Sequence, residues 1–338
     1  MRTLIISDLH LGGRLEHDVL RRREPLAALL SALDDVDRLV LLGDIVELLE
    51  GRATQAMAVA EPVLRAIGRR LGAHRQVVVV PGNHDRILVR AWTRAVGPAL
   101  APETDVPADA TAALSRIVSW LAPARVTVKY PGVWLADGLY ATHGHYLDWH
   151  LFPVSAFGVA RGLLRRPPQD DASPDDYEHV RRPSLARFTR WLPRPAAALL
   201  DDAAELMRAA TMPRMQRRLL VPRFAPVTAR LLGVQMQRAS IPALARVIHR
   251  MRLDAECVVF GHVHRLGPLA GDDLVQWRGP GGRPRILNTG SWVYEPLLVH
   301  RASGPHPYWP GGAVRLGEDG THPRVVGLLD DLPVETLH

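Results

Sequence analysis

The sequence predicts an α/β protein in which buried strands alternate with amphipathic helices and a mostly helical segment is inserted in the middle of the chain. Three observations predict it. Short apolar runs rich in branched residues recur, stretches with helical spacing separate the first of them, and each run ends abruptly in a polar cluster. The chain has 338 residues, 47% of them hydrophobic. That is enough for one large domain or two ordinary ones with a sizeable core, which excludes disordered and fibrous classes.

The first apolar run, "TLIISDLH" from Thr3, reads as a strand, and its polar end arrives too soon for a secretory signal. "EPLAALLSALDD" from Glu24 has helical spacing, and "RLVLLGDIVE" from Arg38 is the second strand. "TQAMAVAEPVLRAIGRRL" from Thr54 is the second helix, which Pro62 is expected to bend or divide. "VVVVPGNHD" from Val77 is the third strand, so crossover connections are expected. "RVTVKYPGVWLADGLYATHG" from Arg125 alternates at period two and predicts a hairpin about Pro131-Gly132. The pattern of a strand with a polar end resumes in "CVVFGHVH" from Cys257 and "RILNTGSW" from Arg285.

Between these halves the rhythm stops. Residues 1–150 and 253–338 read as two parts of one core, and 151–252 as a basic, mostly helical insertion, a lid or cap. Its helices are expected around "AAALLDDAAELMRAA" and "SIPALARVIHRM", and "RRPPQDDASPDDYEHV" is expected to be an exposed loop. The opening "HYLDWHLFPVSAFGVARGLLRR" reads either as a lid or membrane-surface helix or as a helix packed on the domain. Pro153 and Gly158 interrupt its pattern and favour packing. The net charge of +7 is uneven: the insertion carries 18 arginines against 8 acidic residues, a balance of +10. An anionic partner there, a lipid headgroup or nucleic acid, is an expectation. The lone Cys257 excludes an internal disulfide, and no window is apolar enough to span a bilayer. A cytoplasmic protein, free or peripheral at a membrane, is expected.

The chemistry lies in the polar ends. They offer Asp8 and His10, Asp44, Asn83 and His84, His143, then His262 and His264, where an open α/β sheet places its ligands. In an extended strand, residues two apart share a face, so Asp8 with His10 and His262 with His264 can each present two ligands to one pocket. Any one cluster is explained as well by surface chance, a turn at Gly43-Asp44 or a helix cap at Asn83. Five at successive strand ends are not. Mixed Asp, Asn and His donors suit Mn²⁺, Fe²⁺, Zn²⁺ or Co²⁺, and seven candidate ligands exceed one ion's needs. Two divalent ions, with Mn²⁺ favoured, are expected.

The motifs "SDLHLGG", "LLGDIVE", "VVPGNHDR", "ATHGH" and "VVFGHVH" resemble, in order, the five motifs of the calcineurin-like metallophosphoesterase superfamily. The resemblance implies a two-sheet sandwich flanked by helices and a dinuclear centre, in which Asp8, His10 and His264 hold one ion, Asn83, His143 and His262 the other, and Asp44 bridges them. It implies that His84 is the catalytic histidine, that Asp85 orients it, and that a metal-bridging hydroxide attacks phosphorus. The substrate class implied is a phosphate mono- or diester or a nucleotide pyrophosphate. Nuclease activity, a lipid-linked pyrophosphohydrolase and a non-catalytic binding module are the alternatives. The chain is distantly similar to UDP-2,3-diacylglucosamine pyrophosphohydrolases, but has His84 where those enzymes carry arginine, and a longer insertion. His145 reads equally as support for a ligand or as a packed residue, and Asn288 as a supporting residue.

Overall fold

The computed structural model describes residues 1–150, 171–178, 239–296, 298–299, 302–318 and 322–338. The first half runs β1 (Thr3–Ile6), α1 (Arg23–Ala32), β2 (Arg38–Leu41), α2 (Ala53–Leu71), β3 (Gln76–Val79), α3 (Arg90–Val96), β4 (Glu103–Asp105), α4 (Ala112–Trp120), β5 (Arg125–Ala136) and β6 (Leu139–Thr142). After a short helix at Pro174–Glu178 and another over residues 239–250, it continues with β7 (Cys257–Phe260), β8 (Leu266–Gly267), β9 (Arg285–Thr289), β10 (Gly312–Leu316) and β11 (Arg324–Gly327). The long apolar helix at Ala196–Ala210 that the sequence suggests lies outside the described residues, as does the apolar run after His150.

Among the described residues all strands join one sheet, in the order β11-β10-β1-β2-β3-β5-β6-β7-β9-β8, with β4 on β5. The expected separation into two sheets is not what the hydrogen bonding shows, because β5 belongs to both halves. Its start, Arg125–Val128, lies parallel to β3, and its end, from Gly132, pairs antiparallel with β6. The hairpin therefore turns at Asp137-Gly138 and not at Pro131-Gly132, through which β5 runs on. Gly138 has φ +68°, which suits an Asp-Gly hairpin turn.

Alternation along the strands sorts the apolar residues into three layers. Leu4 and Ile6, Leu39 and Leu41, and Val77 and Val79 pack with α1, α2 and α4. Val258, Phe260, Tyr140 and Ile286 pack with the helix over 239–250. The opposite faces, Ile5, Val40 and Val78 from one half and Ala141, Val259 and Leu287 from the other, share a third cluster. Strands buried on both faces account for the continuous apolar runs in the sequence, and the folded-over sheet brings the ends of β1, β2, β3, β6 and β7 to one place.

Two local expectations are corrected. Pro62 does not divide α2, since the helix is continuous over 19 residues. "DASPDDYE" is not an exposed loop: Ala172 and Tyr177 are buried, and Asp176 and Ser173 form a reciprocal cap at the start of Pro174–Glu178.

Gly68 on α2 is placed so that a Cβ would overlap the carbonyl oxygen of Leu121. Helix propensity alone favours Gly→Ala by about 1 kcal/mol, whereas overpacking against fixed backbone costs about 1–3 kcal/mol. Gly68→Ala is expected to lower Tm by about 1–3 °C in thermal unfolding; an unchanged or raised Tm would show that α2 shifts freely there.

Candidate metal centre

The polar residues start where the strands stop. β1 ends at Ile6 and β2 at Leu41, and the next residues leave the extended conformation. Asp8, His10, Asp44, His262 and His264 all have positive φ, between 43° and 69°. This corrects the expectation that strand alternation pairs Asp8 with His10 and His262 with His264. They converge through left-handed loops. Such conformations cost of order 1–3 kcal/mol each, although Asp and His tolerate them better than most residues.

The loops are pinned from several sides. The backbone N–H of Asp8 donates to Gly43 O and that of His10 to Asp44 O, 3.0 and 2.9 Å. Trp292, wholly buried, donates its backbone N–H to Asp8 O at 3.0 Å. Asn288 donates its side-chain N–H to Gly261 O at 2.7 Å and accepts from Gly290 N–H at 2.9 Å, which supports the turn carrying His262. Gly82 and Gly261 lie where a Cβ would overlap Asp44 Oδ1 and Ser7 Oγ, so close approach to the carboxylates requires glycine.

Three overlapping groups of ligand atoms result: Asp8, His10 and His264; Asp44, His143 and His262; and His10, Asp44 and His84, the atoms within each lying within 4.8 Å of one another. His264 Nε2 is 3.3 Å from Asp8 Oδ1 and 3.2 Å from His10 Nε2. His143 Nε2 is 3.2 Å from Asp44 Oδ2 and 3.1 Å from Asn83 Oδ1. Asp44 Oδ2 is also 3.7 Å from His10 Nε2, so this carboxylate stands between the first two groups.

The residues fit divalent cations on structural grounds. Asp8 Oδ1 is buried and accepts no hydrogen bond among the described residues, while Asp8 Oδ2 is taken by Ser7 Oγ and by His262 N–H at 2.9 Å. One oxygen of a buried carboxylate is thus left facing ring nitrogens. His143 Nδ1 lies 3.0 Å from Leu42 O, which places the proton there and leaves Nε2 as a ligand atom. Burial opposes ionisation of Asp8, but the neighbouring histidines hold its carboxyl down at about 2. Burial likewise opposes charge on Asp44, and His143 and His84 hold it well below the usual range. Ionised, desolvated carboxylates beside imidazoles form a hard-to-borderline donor set.

Glu47, which the sequence does not single out as a ligand, sits in the same "GDIVE". It is buried, with Oε2 2.9 Å from His10 Nδ1 and 2.7 Å from His84 Nδ1. Burial raises its pKa, but the hydrogen bonds from the two rings bring it down to about 2. Asp85, expected to orient His84, is engaged elsewhere: its oxygens accept from Ile45 N–H at 2.7 Å and Gly82 N–H at 2.6 Å. Asp85 therefore braces the two loops, and the carboxylate on the His84 ring is Glu47. His84 also donates its backbone N–H to Asp44 Oδ1 at 2.8 Å. Asp148, likewise unforeseen, lies 3.0 Å from His262 Nε2. Only the approach of distant loops could reveal it.

At one end of the sheet a carboxylate shared between sets of ligand atoms makes a candidate centre for divalent cations. The chain belongs to the calcineurin-like phosphoesterase family, whose family model matches residues 1–266. That span contains every cluster above, and the residues beyond it complete the sheet through β9 to β11. The crystal structure of a dimetal phosphatase from Danio rerio is similar over 97% of this chain and 99% of that one, at 11% identity and a TM-score of 0.36. No match is found among curated proteins.

Gly82→Ala drives a methyl group against Asp44 without touching any ligand's chemistry. Its affinity for Mn²⁺, measured by titration of metal-stripped protein, is expected to fall at least tenfold. Wild-type affinity in this variant would mean that Asp44 is not held where the loops place it.

Proposed function

We propose that the chain hydrolyses a phosphate mono- or diester, or a nucleotide pyrophosphate, at a centre for two divalent ions. Asp8, His10 and His264 would hold one ion, Asn83, His143 and His262 the other, with Asp44 between them. The position of Asp44 carries this reading: it lies within 4 Å of His143 Nε2 from one group and His10 Nε2 from the other. Bound divalent ions would supply positive charge at a developing phosphoryl transition state and acidify water. Mn²⁺, Fe²⁺, Zn²⁺ and Co²⁺ all suit the donors, and Mn²⁺ is the first to test.

The protein's own part follows from His84 and Glu47. Glu47 accepts at His84 Nδ1, which leaves Nε2 free to face substrate. Burial lowers the affinity of this ring for a proton, but Asp44 and Glu47 outweigh it and raise the pKa to about 10; bound cations would bring it back toward neutrality. His84 is then a proton donor to the leaving oxygen, and Glu47 sets its tautomer and orientation. Because Glu47 also holds His10, it ties the proton donor to a ligand of the centre.

Hydrolysis of bis-p-nitrophenyl phosphate and p-nitrophenyl phosphate by metal-stripped protein, before and after Mn²⁺ is restored, tests the reading. Activity is expected only with metal, and its total absence from the fully loaded protein on both esters would count against it. His84→Ala is expected to lower kcat by about 10²–10⁴-fold while metal analysis still finds two ions per chain; loss of both ions would make His84 a ligand. Glu47→Gln is expected to lower both kcat and Mn²⁺ affinity, the latter by about 10–100-fold, and a change in kcat alone would uncouple it from His10.

A further inference from the structure

The segment 171–178 places two consecutive side chains in the wall beside the centre. Tyr177 stacks on Tyr146 with ring centroids 4.8 Å apart and planes 8° from parallel, and its hydroxyl lies 2.9 Å from His150 Nε2. Glu178, with its side chain 1% exposed, pairs with the guanidinium of Arg86 and accepts from the hydroxyls of Tyr130 and Tyr146, the latter at 2.7 Å. His145 Nε2 is 3.9 Å from the same carboxylate. Burial opposes its charge, but Arg86 and these donors hold Glu178 ionised, well below the usual range.

Stability is a weak reason for such a group. A buried ion pair recovers little beyond its own desolvation cost, and well-packed apolar residues of similar volume do as well or better. The tyrosine stack already docks the segment. The donors also have a particular address. Arg86 follows His84 by two residues, and the His145 ring lies 5.6 Å, centroid to centroid, from His143 of the candidate centre. His145 Nδ1 is buried with no hydrogen-bond partner among the described residues. A guanidinium, two hydroxyls and an imidazole converging on one point suit an anion.

We propose that Arg86, Tyr130, Tyr146 and His145 form a second anion subsite beside the metal centre, which Glu178 holds in place of a second anionic group of the substrate. The group is a phosphate or a carboxylate carried a few bonds from the scissile phosphorus. Its being part of a substrate rests on the phosphoesterase reading; the subsite itself does not. Entry of the anion requires rotation of the Glu178 side chain, while Tyr177 keeps the segment docked. The subsite would select substrates with two negative groups over those with one, because only the former can repay release of the Glu178 contacts.

The test is thermal unfolding of the metal-stripped full-length protein in sodium sulfate, sodium acetate or sodium chloride at equal ionic strength. Stripping removes the metals as a rival anion site. Wild type is expected to show only the gradual, non-saturating rise that an excluded, kosmotropic anion such as sulfate gives proteins in general. Glu178→Gln and Glu178→Ala are expected to gain a saturable rise in Tm of a few degrees, with sulfate if the group is phosphate and with acetate alone if it is carboxylate. Adding Arg86→Ala to either variant should abolish the gain. Responses equal to wild type, a gain that survives Arg86→Ala, or failure of both Glu178 variants to fold would each overturn the proposal and leave Glu178 as a structural pairing. Anion binding without metal-dependent hydrolysis by wild type would remove only the phosphoesterase reading, and hydrolysis without anion binding only the subsite.

Discussion

Asp8 and Asp44 are ionised carboxylates set just past the ends of β1 and β2, strands that close in apolar residues, and each is less than 2% exposed. Burying such charge is expensive unless positive charge lies beside it. The surrounding imidazoles answer part of that demand, through His264 on Asp8 and His143 and His10 on Asp44. Asp8 Oδ1, which accepts no hydrogen bond among the described residues, marks what they leave unanswered. The loop conformations, the glycines against the carboxylates and the bracing by Asp85 are all consequences of holding these two groups in a dry place.

The sheet makes that place. Crossovers set β1, β2 and β3 side by side and parallel, so their carboxyl ends face one way. β5 then carries the chain into the second half, and β6, β7 and β9 are parallel with ends that meet the first set. The cluster of Ile5, Val40, Val78, Ala141, Val259 and Leu287 fills the space between the halves. Interiors at this density tolerate little displacement, which is how loops from five strands keep ring nitrogens and carboxylate oxygens within a few ångströms. In this sense the valines of "VVVVPGNHD" and the ligands after them serve one purpose.

Glu47 and Glu178 show two uses of a buried acid near the same centre. Glu47 joins two histidines with different tasks, and its charge is matched by rings on both sides. Glu178 comes from the segment between the two halves of the core and meets an arginine and two hydroxyls. Neither stands out as a ligand in the sequence: Glu47 falls three residues past Asp44 in "GDIVE", and Glu178 lies far from any strand end. Among the described residues no helix is long and apolar enough to cross a membrane.

What the sequence determined by itself was the local grammar. Apolar runs of four residues with branched side chains become strands, 3.6-residue spacing becomes α1, α2 and the helix over 239–250, and polar residues that cannot continue a buried strand fall at the ends. Hence Asp8, His10, Asp44, Asn83, His84, His143, His262 and His264 were readable as one set. The tertiary structure decided how they meet. It replaced the expected strand-face pairing by left-handed loops, turned the hairpin at Gly138 instead of Gly132, and joined the halves through β5. It also gave the His84 ring to Glu47 and left Asp85 to backbone N–H groups. Apart from the local turn at Gly138 and the bond from Gly82 to Asp85, those outcomes depend on contacts between residues far apart in the chain, such as Glu47 with His84, 37 positions apart, and Ser7 with Thr289, 282 apart. Local periodicity reports which face a side chain takes, but carries no record of which distant loop will arrive opposite it.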